Sequence, residues 1–241
     1  MKIIELESYD KVSLKAANII SGQINIKEDS VLGLATGSTP IKTYEYLVNK
    51  FNKDAVDFKK VKTFNLDEYI GLGKNDSQSY RFFMDKHLFS KVNIKEKNIH
   101  IPNGLAKNIT KECKRYEKEI EKAGGIDLQL LGIGRNGHIG FNEPDVKFEA
   151  RTHKVKLDSD TIKANARFFD SIDKVPKEAI SMGIKTIMMS KKIILLASGE
   201  NKAKAIRNLV KGHISPKVPA SILQLHRDVT VIVDQKAGSL L

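Results

Sequence analysis

One cysteine stands in 241 residues, so neither an internal disulfide nor a zinc site built on thiolates can form within the chain. That residue, Cys113, belongs to the series Ile109, Cys113, Tyr116, Ile120. The spacing marks the buried stripe of a helix, where a free cysteine packs as a small hydrophobe. No window approaches the roughly 18 uninterrupted apolar residues of a membrane span, and the opening "MKIIELESYDKVS" is too charged for a secretory leader. A soluble, cytoplasmic protein with no membrane partner is expected. Internal repeats, low-complexity tracts and linkers are also missing, and 41% hydrophobic content over this length suits a single domain over 1–241.

Acidic residues are the scarcer charge: 29 Asp and Glu against 41 Lys and Arg leave a net charge of +12. That balance raises nucleic acid or a small anion as partner. The lysines are spread widely, however, and the densest groups, "NKFNKDAVDFKKVK" and "NIKEKNIH", are broken by acids and apolar residues. They lack the aromatic interleaving of single-strand binders, and no helix-turn-helix, zinc-finger or RNP pattern occurs. Solvated lysine faces are expected, with no nucleic-acid partner and a general attraction for anionic substrates.

What is present is an alternation. The runs "VLGLATG", "VKTFNL", "NIHIP", "DLQLLGIG", "KIILLASG" and "VTVIVD" are short and almost continuously apolar, as strands buried on both faces are. Between them lie the helix candidates "PIKTYEYLVNKF", "SQSYRFFMDKHLF", "NITKECKRYEKEIEKAGG" and "NKAKAIRNLVKG", the last two closed by glycines. The pattern predicts an α/β fold, an open, mainly parallel, Rossmann-like sheet with helices on both faces. The least regular stretch runs from "DVKFEARTHKVK" to "KVPKEAISMG", and its composition fits either a flap over a site or a long surface connection.

Ligands of open α/β sheets bind beyond the carboxyl ends of the strands, where four polar loops follow apolar runs. "TGSTP" offers the hydroxyls of Thr36, Ser38 and Thr39, a close backbone approach at Gly37, and Pro40 suited to a first helical position. It fits an anion site at a helix N-terminus or an ordinary Ser/Thr cap. "SGENKAKAI" places Lys202 in the first helical turn, against the preference of the helix dipole, so a negative group is expected nearby, either a ligand or Glu200. Asp67 follows "KVKTFNL" and is placed to act as a base if partly buried, although Asp also turns chains at strand ends. In "GIGRNGHIGFNEP" four glycines bend the backbone and present His138 and Glu143 on a loop. Glu143 and Asn136 are close enough in sequence to orient the imidazole. Metal-ligand spacing is missing around His138, which points to acid/base work without a metal.

The segments "LGLATGSTP", "FNLDEY", "SYRFFM", "GIGRNGHIGFNEP", "ANARFF", "SGENKAKAI" and "PASILQLH", in this order, resemble the glucosamine-6-phosphate deaminase family over nearly the whole chain. The resemblance implies conversion of D-glucosamine 6-phosphate to fructose 6-phosphate and ammonia without a cofactor. It implies that His138 opens the sugar ring with Glu143 orienting it, and that Asp67 moves a proton between C2 and C1. It further implies that Ser38, Thr39, Arg167 and Lys202 bind the phosphate, with Gly137 among the backbone contacts, and that about 156–179 forms a lid. Asn136 stands where some members carry Asp. Val155 and the short stretch after "VIVDQK" lead to the expectation that activation by N-acetylglucosamine 6-phosphate is lost; the chain is read as a monomer or homo-oligomer. The rival reading is 6-phosphogluconolactonase, whose His loop lacks the "GFNEP" ending, and beyond it a non-catalytic sugar-phosphate sensor, which would lose the acid/base set kept here.

Overall fold

Seven strands, all parallel, form the central sheet of the computed structural model, which describes residues 1–166, 169 and 171–241. The chain opens with β1 (Lys2–Leu6), α1 (Tyr9–Ile26), β2 (Val31–Leu34), α2 (Ile41–Phe51) and β3 (Lys62–Asn65). It continues through β4 (Asp67–Tyr69), α3 (Tyr80–His87), β5 (Ile99–His100), α4 (Ile109–Lys122) and β6 (Leu128–Leu131). Then come β7 (His153–Lys156), α5 (Ser159–Asn165), β8 (Glu178–Ser181), α6 (Ile184–Met188), β9 (Lys192–Ala197), α7 (Ala203–Lys211), β10 (Val229–Asp234) and α8 (Gln235–Gly238).

The order across the sheet is β1, β10, β9, β6, β2, β3, β5. From β2 the chain winds outward through β3 to β5; from β6 it winds the other way through β9 and β10. The reversal falls between β2 and β6, and all carboxyl ends share one edge, so the crevice at that switch point is where the fold leaves room for a ligand. Every residue of β2 and of β6 is buried, which accounts for their unbroken apolar character. Gly33 on β2 is required by packing, since a Cβ there would meet Oε1 of the buried Gln129 at 2.0 Å.

Three elements differ from the sequence expectation. β1 pairs with β10 from Lys2 to Leu6, yet its exposed edge carries Lys2 and Glu5 and so lacks a continuous apolar run. The unpredicted α1, capped by the Ser8 side chain, buries Val12, Ser13, Ala16, Ala17, Ile20, Ser21 and Ile24; the stripe is amphipathic but built mainly from small residues. The third is a second sheet, antiparallel, in which β4 and β7 flank β8, with Asp67 opposite Ser181. The stretch that reads as irregular thus holds two strands, and Ala179, Ile180 and Met182 are fully buried. Cys113 is buried on α4 with Tyr116 and Ile120, as its spacing predicts. No described helix is long and apolar enough to cross a membrane.

Candidate active site

Four neighbouring strands, β9, β6, β2 and β3, deliver the four polar loops to the same edge of the sheet in that order. The chain leaves β3 at Asn65 and enters the second sheet at Asp67, so this carboxylate sits on the seam between the two sheets. It is 5% exposed. Burial, with the neighbouring Glu68 charge, pushes its pKa up to about 8. Glu68 is buried as well, but its oxygens accept from the backbone N–H groups of Tyr69, Tyr80 and Arg81 at 2.9 to 3.0 Å. It thereby completes the N-terminus of α3, which Ser79 caps through Phe82 N. Burial still raises Glu68 to about 7.

The loop after β6 carries the second carboxylate. Nδ1 of His138 lies 3.0 Å from Oε2 of Glu143. An ionised carboxylate only accepts, so Nδ1 holds the proton and Nε2 is left to exchange one with a ligand. Asn136 Nδ2 donates to the same Oε2 at 2.9 Å, and its Oδ1 accepts from His138 N at 3.2 Å. Asn136 therefore orients the loop and Glu143, and reaches the imidazole only through them. Thr161 of α5 donates to Oε1 at 2.5 Å. Burial pushes Glu143 up, yet the bonds from His138, Thr161 and Asn136 hold it below the ordinary carboxylate range.

Glycines make this loop possible. A Cβ on Gly134 would lie 2.4 to 2.6 Å from three atoms of the His138 ring, so the imidazole rests directly on that backbone. Gly140, at a φ of 58°, brings the loop against the other carboxylate. A Cβ there would meet Ser181 Oγ at 3.1 Å and Asp67 Oδ2 at 3.7 Å. Ser181 Oγ accepts from Phe141 N, and Asn142 Nδ2 donates to the carbonyls of Ile139 and Met182. Met182 N in turn donates to Leu66 O. Strand β8 thus holds the histidine loop and Asp67 in one register.

The remaining predicted residues frame the crevice. Lys202 lies in a short 3-10 turn, Glu200–Lys202, just ahead of α7 rather than in its first turn. Its Nζ donates to Ile133 O at 2.6 Å, joining the loop after β9 to the one after β6. Asp234, at the end of β10, accepts from Ser198 Oγ, Gly199 N and Ala237 N and so fixes the start of that turn. After β2, the Tyr9 hydroxyl donates to the carbonyls of Ser38 and Thr39, and the Thr36 side chain bonds that of Tyr80. α2 begins with Pro40 at its cap position and no side-chain cap bond from it. Gly37 has a φ of 88°, open to glycine and strained for other residues. Gly137 packs on Val218. Arg167 lies outside the described residues. No cluster of three or more His, Cys, Asp or Glu among the described residues is arranged to hold a metal.

A family model described as glucosamine-6-phosphate isomerases/6-phosphogluconolactonase matches residues 6–232. The chain belongs to that isomerase/lactonase family. A glucosamine-6-phosphate deaminase of Clostridium acetobutylicum is 57% identical over 241 residues, the whole of both chains. One of a Thermoanaerobacter species is 55% identical, over all of this chain and 95% of its own. The solved structure of a monomeric glucosamine-6-phosphate deaminase superposes with a TM-score of 0.98 at 50% identity, covering both chains fully. A 6-phosphogluconolactonase of Thermotoga maritima, at 20% identity and a TM-score of 0.75 over 97% of this chain and 99% of its own, shares the fold alone.

Within this family setting, sequence reasoning missed Tyr9, Thr161, Ser181 and Asp234. Each acts through a partner distant in sequence. The only local sign is for Asp234, a carboxylate closing the buried run "VTVIVD".

Proposed function

We propose that the protein converts D-glucosamine 6-phosphate to D-fructose 6-phosphate and ammonia. The observation that carries the reading is the pair of carboxylates with opposite surroundings at one edge of the sheet. Asp67 is kept basic by burial, while Glu143 is kept ionised by donors and holds the His138 ring. The full-length 57% identity to a glucosamine-6-phosphate deaminase supports the same substrate.

His138 Nε2 takes the proton of the anomeric hydroxyl and returns it to the ring oxygen, which opens the pyranose to the aldehyde. The imidazolium formed in between faces the Glu143 charge 3.0 Å from Nδ1. Asp67 then takes the C2 proton and returns it to C1, while a proton passes from the amine nitrogen to the oxygen on C1, which leaves a C1 hydroxyl and an imine at C2. Water adds to C2 and ammonia departs, giving the ketose. Proton transfer and hydrolysis suffice for each step, so no cofactor is used. Ser38, Thr39, Lys202 and Arg167 bind the phosphate, with the backbone at Gly37 and Gly137 alongside, and Thr36 shapes this loop through Tyr80. Residues 156–179 act as the lid. The chain works as a monomer in the cytoplasm, the first point supported by its likeness to the monomeric enzyme.

Ammonia release measured with glucosamine 6-phosphate, galactosamine 6-phosphate and 6-phosphogluconolactone side by side tests the reading. Release from the first is expected. Lactone hydrolysis with no ammonia from either amino sugar would overturn it.

A further inference from the structure

Thr161 stands in a different position from the other partners of the acid–base pair. His138, Asn136 and Glu143 share one loop, whereas Thr161 is borne by α5, eighteen residues beyond Glu143 in sequence. Its side chain is buried, and its hydroxyl, 2.5 Å from Oε1, donates to that oxygen; Oε2 takes both Asn136 and His138. Glu143 also lines a cavity of about 570 Å³, together with Pro144, Phe148, Val155, Leu157 and Ser159. Without the Thr161 hydroxyl the described residues hold Glu143 through Oε2 alone, and the carboxylate can turn about its terminal torsion, because sp³–sp² torsions are soft. Rotation would take Oε2 away from Nδ1 and leave the imidazole without the partner that fixes its tautomer.

We propose that Thr161 is a positioning residue: its hydroxyl locks the orientation of the Glu143 carboxylate and so keeps His138 aimed at the substrate. The inference rests on the proposed role of His138 and Glu143 in ring opening. It adds that the first turns of α5 are part of the acid–base machinery, so the orientation of the imidazole depends on where that helix sits.

The test compares Thr161→Val, which keeps the shape and removes the donor, with Thr161→Ser, which keeps the donor. With glucosamine 6-phosphate, Thr161→Val is expected to lower kcat about tenfold, the scale of one hydrogen bond to a charged group, with KM within about twofold because the phosphate contacts are untouched. Thr161→Ser is expected to retain at least about half of the parent kcat. The second readout needs no activity. In protein labelled with ¹⁵N-histidine, the Nδ1–H signal of His138, assigned by its loss in His138→Gln, is expected to weaken through faster exchange in Thr161→Val and to persist in Thr161→Ser. A parent-like Nδ1–H signal in folded Thr161→Val, or equal losses in both variants, would overturn the proposal. If the parent releases no ammonia, the deaminase reading fails while the histidine signal still decides the role of Thr161.

Discussion

Two carboxylates of the same crevice live under opposite rules. Asp67 enters the second sheet at a seam, packed against Gly140 with Ser181 opposite on β8, and burial raises it to about 8. Glu143 is almost as well covered but receives three donors, and its pKa falls below the ordinary range. Burial alone therefore does not decide what a carboxylate can do here: the His138 ring with the side chains of Thr161 and Asn136 outweighs it at Glu143, whereas the three backbone N–H groups on Glu68 leave that residue raised. An acid starved of donors is basic enough to pull a proton from carbon. One supplied with donors stays charged and steadies an imidazolium.

Asp67→Asn is the sharpest way to break this contrast. Turnover of glucosamine 6-phosphate is expected to fall by roughly two to four orders of magnitude, the scale of losing a general base, with binding retained. Stability is expected to move the other way. The native protein keeps a proton on Asp67 between the unfolded value, near 4, and about 8, so stability falls as pH rises through that window. Asp67→Asn should match the parent near pH 4 and melt at a higher temperature than it at pH 9, as calorimetry would read. In the parent, kcat/KM should rise with pH through about 8 as the base form appears; a profile flat from pH 6 to 9 would remove Asp67 from the limiting step.

Glu143→Gln should lower kcat about a hundredfold and, unlike the change at Asp67, destabilise the protein at neutral pH by about 1 to 3 kcal/mol, since three donors lose their charged acceptor. The contribution of Glu143 is present above the ordinary carboxylate value and is lost as pH falls through its lowered one, so the two variants should converge with the parent at acid pH from opposite sides. Equal signs of the stability change at pH 8 would dissolve the comparison. Lys202→Ala is expected to raise KM about tenfold with kcat within a few-fold, because a phosphate contact far from C1 and C2 acts on ground and transition states alike. The smallest effect concerns N-acetylglucosamine 6-phosphate, which should leave the substrate saturation curve unchanged and hyperbolic; a sigmoidal curve straightened by it would reinstate the activation that Val155 argues against.

The contrast was only partly legible in the sequence. The strands beside the switch point announce themselves because both faces are buried, as in "VLGL" and "LQLL". His138 and Glu143 are legible because five residues of glycine-bent loop bring them together. The state of Asp67 is not: Gly140 and Ser181, which lie against it in the buried seam, are more than seventy residues away in sequence. β7 and β8 were hidden for a related reason. The strand "HKVK" is half exposed and lysine-rich, and its pairing with Glu178–Ser181 is a tertiary event. Thr161 reads as an ordinary polar residue until α5 is placed over Glu143.

The pairing of β1 with β10 sets an order on synthesis. β1 leaves the ribosome more than two hundred residues before β10, its partner. Contacts of such long range form slowly, since the loop they close is long. Until then Ile3 and Ile4 have no strand to lie against. The four central strands, by contrast, are complete once Ala197 has emerged. A nascent chain can thus align the strands of the crevice first, and gain Lys202, the packing of Val218 on Gly137 and the Asp234 contacts later. The last contact of the sheet to form is the docking of a strand that carries none of the site residues.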